Sequence, residues 1–313
     1  MGVYIGRRLL TLIPIIIGIS ILVFLIMHLV PGDPASIMLG TNATPEAIHA
    51  LRKSMGLDQP LYIQYLNWVW GLLHGDFGVS VQSGDPILPN ILNRFVVTLQ
   101  LTILSAILGW VIAIPIGILS AVKAHTPLDI AGRVVAMLGI SVPNFAIGTL
   151  MLLGLSVWFG WYPPIDFVNF WEDPLASIQV LILPAITLGI VLAAGIMRMT
   201  RSAFLETLNK DFIRTARAKG NTEWKIIIKH AFRNSTIPVL TLGGMQIGYL
   251  LGGAVIVEQL FSIPGLGQYI LDGIHNRDYP VVQGGVLFIA LIFVLVNLLI
   301  DIVYTIIDPR IKY

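Results

Sequence analysis

Six apolar runs, each long enough to cross a lipid bilayer, constrain this chain more than any other feature. The first, Leu9 to Val30, holds 22 residues without a formal charge. As a helix it measures about 33 Å, matching a hydrocarbon core of about 30 Å. Five more follow: Phe95 to Val122, Val134 to Phe159, Ile178 to Met197, Ile237 to Val257, and Val281 to Ile307, the last interrupted only by Asp301. Helices satisfy their own backbone polar groups in lipid, so the expected fold class is an all-α membrane protein with six transmembrane helices. The first run is followed by Pro31-Gly32-Asp33-Pro34 and no small-x-small cleavage site, which favours a retained anchor over a signal peptide.

Composition agrees. Of 313 residues 56% are hydrophobic and 12% charged, where soluble proteins carry roughly 25% charge. With a mean hydropathy of +0.84, too little polar surface remains for a soluble enzyme or a nucleic-acid binder. The absence of cysteine excludes disulfides, thiolate metal sites and cysteine nucleophiles. Pro14, Pro115, Pro143 and Pro184 lie inside the apolar runs, where membrane helices tolerate them as kinks.

Orientation follows from the basic residues. Fifteen of the 19 fall in alternate connections: Arg7 and Arg8, Lys123 and Arg133, nine from Arg198 to Arg233, and Arg310 and Lys312. Arg52, Lys53, Arg94 and Arg277 fall on the other side. The positive-inside rule therefore puts both termini in the cytoplasm and the 31–94 connection outside. Trp68, Trp70, Trp158 and Trp161 then sit near the outer interface. The outer connection contains helix signals: Thr44 as a cap, Pro45 in the first turn and Gly56 closing a helix over Pro45 to Met55. A second helix after Pro60 aligns Leu61, Tyr65, Trp68 and Leu72, as expected of a helix lying along the membrane surface.

Catalytic constellations are missing. The sequence has no G-x-x-x-x-G-K-[ST] phosphate loop, no H-E-x-x-H pair, and Gly139-Ile140-Ser141-Val142-Pro143 lacks the last glycine of a nucleophile elbow. No enzymatic function, cofactor or metal site is expected. Asp301 is the one ionisable side chain well inside an expected span, open to a coupling or proton-relay role or to a structural ion pair or hydrogen bond. A proton-coupled secondary transporter of a small solute is the alternative from another class, and an intramembrane enzyme a weaker third.

The most polar stretch is Arg198 to Thr236. Over Arg201 to Lys219 the periodicity gathers Phe212, Thr215 and Ala216 on one helix face and Lys210, Arg214 and Arg217 on another. Gly220 breaks the helix, and Thr222 can cap a second with Trp224, Ile227, Ile228 and Ala231 at helical spacing. Such a pair can lie on anionic lipid or fit a groove on a soluble partner, and the pattern leaves both open. In the fifth run Gly244, Gly248 and Gly252 repeat every four residues, a smooth stripe for close helix approach within the chain or against a partner.

Arg214-Thr215-Ala216-Arg217-Ala218-Lys219-Gly220, followed by Arg233-Asn234 and Ile237-Pro238, resembles the cytoplasmic EAA loop of ABC importer permeases, in the B-type subunit of dipeptide, oligopeptide and glutathione uptake systems. Further matches run along nearly the whole chain. They include Gly75-Asp76-Phe77-Gly78, Met199-Thr200-Arg201-Ser202, Pro264-Gly265-Leu266-Gly267, Arg277-Asp278-Tyr279-Pro280 and Asp308-Pro309-Arg310-Ile311. Arg214-Thr215-Ala216 departs from the E-A-A triplet, a variant that peptide permeases share. The resemblance implies a type I importer permease fold, with an N-terminal helix and extracytoplasmic insertion over 1–93 and a permease domain over 94–313. It also implies a bacterial inner-membrane location and a coupling role for residues 214–220 within the loop 198–236. The partners it implies are a second permease, two ABC ATPases that hydrolyse ATP, and an extracytoplasmic solute-binding protein.

Overall fold

The computed structural model describes residues 2–29, 34–39, 43–54, 56–164 and 166–307. Among them every named element is a helix. The N-terminal helices are α1 (Gly2–Leu29), α2 (Pro34–Leu39), α3 (Pro45–Ser54) and α4 (Leu61–Leu73). Then come α5 (Ile87–Val122), α6 (Pro127–Ser141), α7 (Asn144–Phe159), α8 (Pro174–Leu208), α9 (Asp211–Ala218) and α10 (Glu223–Lys225). A π-helical segment, Ile226–Phe232, leads into α11 (Arg233–Gly253), α12 (Val255–Leu260), α13 (Leu266–His275) and α14 (Tyr279–Ile307). Residues 31–33, Met55 and the ending 308–313 lie outside the described set, as do the side chains of Arg7 and Arg8.

Among the described residues three helices are long and apolar enough to cross a membrane: α5, α8 and the Tyr279–Val303 part of α14. A fourth crossing arises if α6 and α7 are taken together, and within α1 the apolar stretch is Leu10–Ile26. Two expected spans need correction. The run Val134 to Phe159 is not one helix but α6 and α7, bent by 100°. Pro143 disfavours helical backbone at the residue before it, and Val142 is accordingly extended at φ −93°, ψ 126°. The run Ile237 to Val257 is divided at Ala254, and its helix starts earlier, at Arg233. Pro14, Pro115 and Pro184 stay inside continuous helices.

The chain forms two compact units. One comprises Gly2–Thr98 with Pro264–Val294. In it the Thr44 hydroxyl accepts the Ala47 N–H at 3.3 Å, and Gly56 supplies a φ of +69° after α3, as the sequence led us to expect. Tyr65 and Trp68 of α4 pack against Phe24 of α1, and the Tyr65 hydroxyl lies 2.8 Å from that of Ser20. Leu61, expected on the same face, is half exposed. A core of Ile87, Ile91, Leu266, Ile270, Val281, Val282 and Phe288 joins the start of α5 to α13 and α14. The boundary expected at residues 93 and 94 falls within α5.

The other unit holds Leu99–Ile263 and the chain from Leu295 onward. Helix α8 is its centre, since 78% of its most apolar stretch is buried against 39% for α5. On α5 the exposed side chains Ile103, Ile107 and Val111 form one stripe, while Thr102 and Ser105 are buried. Apolar residues outside and small hydroxyls inside suit a lipid surround, where close packing and not the expulsion of water holds helices together. The glycine stripe fits the same logic. A Cβ on Gly244 would stand 2.9 Å from three side-chain atoms of Ile300, so this glycine packs within the chain. Gly248 is buried and Gly252 is exposed with open space around it. Gly244→Val should cost about 1–3 kcal/mol through overpacking. An unchanged melting midpoint in detergent would show that α11 and α14 do not depend on this contact.

Candidate functional site

The loop around Gly220 is built on the ends of α5 and α8. Ile213 and Ala216 of α9 are buried with Ala121, Phe204, Ile226 and Ala231. Of the face expected to gather Phe212, Thr215 and Ala216, only Ala216 is buried, beside Ile213, while Phe212 and Thr215 are exposed. The expected single helix from Arg201 to Lys219 is also divided. Helix α8 ends at Leu208, and α9 begins at Asp211 after Lys210, whose backbone is extended at φ −72°, ψ 149°. Ala216 is only 7% exposed, so its small size serves the loop's own packing.

The turn itself is tightly closed. Gly220 has φ +76°, and its N–H donates to the Arg217 carbonyl at 2.9 Å. Asn221 folds back to donate from Nδ2 to the Ala216 carbonyl at 2.9 Å, closing the end of α9. Across the turn Arg217 grips Glu223 through two hydrogen bonds of 2.8 and 3.2 Å. Those bonds hold the Glu223 carboxyl below its ordinary value and raise Arg217. Their contribution is therefore present above the unfolded carboxyl pKa and fades as pH falls through the folded one.

Thr222 has extended backbone at the start of α10, but its side chain makes no capping bond. The expected second amphipathic helix does not stand alone either; it passes through the π-helical segment directly into α11. The wider π turn brings residues five apart onto one side, which explains why Ile226 and Ala231 are both buried. Ser235 continues that inward line and bonds the Ala203 carbonyl and the Thr207 hydroxyl of α8. Trp224 and Ile228, expected to align with Ile227 and Ala231, instead face outward at 73% and 49% exposure. Phe212, Arg214 and Lys225 are exposed as well, with Arg214 paired to Asp211 at 3.4 Å.

One ionic cluster went unnoticed in the sequence. Asp129, at the start of α6, is fully buried and accepts Arg201 Nε and Nη2 from α8 at 2.6 and 2.9 Å. The Ser120 hydroxyl donates to it at 2.6 Å and the His125 N–H at 2.9 Å, and Arg133 approaches to 3.6 Å. Every carboxylate oxygen is thus bonded, and α5, α6 and α8 are tied at one point. Asp301 is partly buried on α14 and engaged within the chain. The loop residues 214–220, the glycine stripe and Asp301 do not converge on one site: the loop packs on Phe204 and Ala121, Gly244 on Ile300.

Long apolar helices with a loop packed against their ends define a multi-pass membrane protein. Residues 113–313 match the family described as binding-protein-dependent transport system inner membrane component, and residues 1–102 its N-terminal counterpart. The glutathione transport system permease protein GsiC of Salmonella typhi is 43% identical over 310 residues, and that of Escherichia coli K12 42%, each covering 99% of both chains. Among solved structures, an inward-facing MetNI methionine ABC transporter matches 70% of this chain and 96% of its own at TM-score 0.54 and 21% identity. An amino acid ABC transporter with histidines matches 71% and 94% at TM-score 0.53 and 17% identity. The chain belongs to this family: it is an inner-membrane permease component of an ABC importer, with the type I permease fold. The proton-coupled and enzymatic alternatives fall away.

Proposed function

We propose that this chain carries peptides of glutathione or dipeptide size inward, as one of two permease subunits paired with two ABC ATPases and an extracytoplasmic binding protein. The substrate class rests on the likeness to glutathione transport system permeases 42–43% identical over 99% of the chain. In this reading residues 1–93 form an N-terminal helix and outer insertion and 94–313 the permease domain, with both termini cytoplasmic. The loop 198–236 receives the push of ATP-driven closure. Its support is the exposure of Trp224, Ile228 and Phe212 on this loop, since aromatic side chains are frequent anchors of protein contacts. Residues 214–220 then act mostly through shape, Ile213 and Ala216 seating the elbow and Gly220 setting its direction.

Uptake of labelled glutathione and dipeptides by cells expressing the complete transporter tests the substrate, and loss of both on deleting this chain is expected. Uptake of neither by the intact system would refute the substrate class while leaving the family unaffected. Orientation is tested separately. A cysteine at Thr222, in a chain with no native cysteine, should react with an impermeant maleimide only after the cells are opened. Labelling of intact cells would reverse the assigned sidedness.

A further inference from the structure

Beside the Asp129 and Arg201 pair lies a cavity of about 360 Å³ between α5, α6 and α8. Arg133, Arg198 and Arg201 line it together with Met137, Ile140 and Met197, and among the described residues no acidic side chain does. The carboxylate behind it, Asp129, is saturated by Arg201, Ser120 and the His125 N–H. Three arginines therefore line the cavity, and the one carboxylate beside it, which Arg133 also approaches to 3.6 Å, has its bonds already committed. The cavity also continues onto an apolar helix face: on α6, Ile130, Val134, Met137 and Leu138 are 50%, 50%, 71% and 58% exposed.

We propose that this cavity binds the phosphate headgroup of an anionic phospholipid, with one acyl chain along Met137 and Ile140. The planar guanidinium fork matches phosphate oxygens in pairs, and Arg133 and Arg198 supply two such forks. A zwitterionic lipid brings a second, cationic group into a site already rich in positive charge. A soluble phosphate leaves the apolar wall unused. The volume lies within the range of built ligand sites, roughly 300–1,000 Å³. Basic pockets between membrane helices are suited to such headgroups because bilayer lipid reaches them laterally.

The test uses the full-length chain in neutral detergent, with lipid retention read by native mass spectrometry. Phosphatidylglycerol should be retained, and phosphatidylcholine and glycerol 3-phosphate should not. Arg198→Gln should weaken phosphatidylglycerol binding about tenfold, the loss of one charged hydrogen bond, with an unchanged melting midpoint in lipid-free detergent. Equal retention of phosphatidylcholine, or wild-type binding by Arg198→Gln, would overturn the proposal, and glycerol 3-phosphate binding as tightly would reassign the site to soluble phosphate. A photoreactive group on Met137→Cys in native membranes should yield a lipid adduct. A protein adduct instead would show that a subunit covers this face, and would equally end the lipid assignment.

Discussion

Asp129→Ala should destabilise the chain by about 3 kcal/mol, the lower end of the cost of leaving one member of a buried ion pair alone. Arg201 retains 20% side-chain exposure and lines the neighbouring cavity, so water can recover part of its charge. The Ser120 hydroxyl and the His125 N–H lose their acceptor at the same time. Arg201→Met alone should also be costly, since it leaves a carboxylate with no exposure to the Ser120 and His125 bonds and to Arg133 at 3.6 Å. The Asp129→Ala/Arg201→Met double variant should be less destabilised than the two single losses added together, because the second change removes a charge already stranded. Melting of all four proteins in one detergent decides the matter. Strict additivity would mean that the two groups do not support one another and that α6 and α8 are held by apolar contact alone.

Nothing in the order of residues pointed to that pair. Arg201 stood in a motif with no partner, and Asp129 lies 72 positions away in a short polar connection. Pairings of that kind are made by helix packing, and hydropathy does not encode them. Around a bilayer the outside of a helix is as apolar as the inside, so Ile107 on the surface and Leu101 in the core look alike in sequence. Local chemistry was far more legible. Thr44 caps α3, and Gly56 and Gly220 both take the left-handed backbone that their positions after helices suggested. Proline was ambiguous: Pro115 and Pro184 sit within long packed helices, whereas Pro143 breaks one. At that break the Asn144 side chain accepts the Phe145 N–H at 2.8 Å, and the Pro143 carbonyl accepts from Ala146 and Ile147, so a new helix start replaces the lost turn. The π-helical segment was likewise unreadable, since it shifts the register of an otherwise helical pattern by part of a turn.

Gly220→Val should leave insertion and folding intact and abolish coupling to the ATPases. A Cβ at this position meets nothing within 4 Å, so the substitution creates no clash with the rest of the chain. What it changes is backbone preference. At φ +76° an L-residue pays about 1–2 kcal/mol, and a β-branched one fares worse. The valine variant relieves that strain by turning the chain into a different exit from α9, which pulls Asn221 from the Ala216 carbonyl and Glu223 from Arg217. Trp224 and Ile228 then present themselves in the wrong direction, while Ile213 and Ala216 remain seated against Phe204. Gly220→Asn is the matching control, because asparagine tolerates left-handed backbone and should keep near-normal function. Co-purification of the ATPases and ligand-stimulated ATP turnover in reconstituted membranes are the measurements. Loss with valine and retention with asparagine would tie coupling to the direction of this one turn. Wild-type association and turnover with valine would return the loop to the surface of the lipid, where a basic amphipathic pair is indifferent to the angle between its helices.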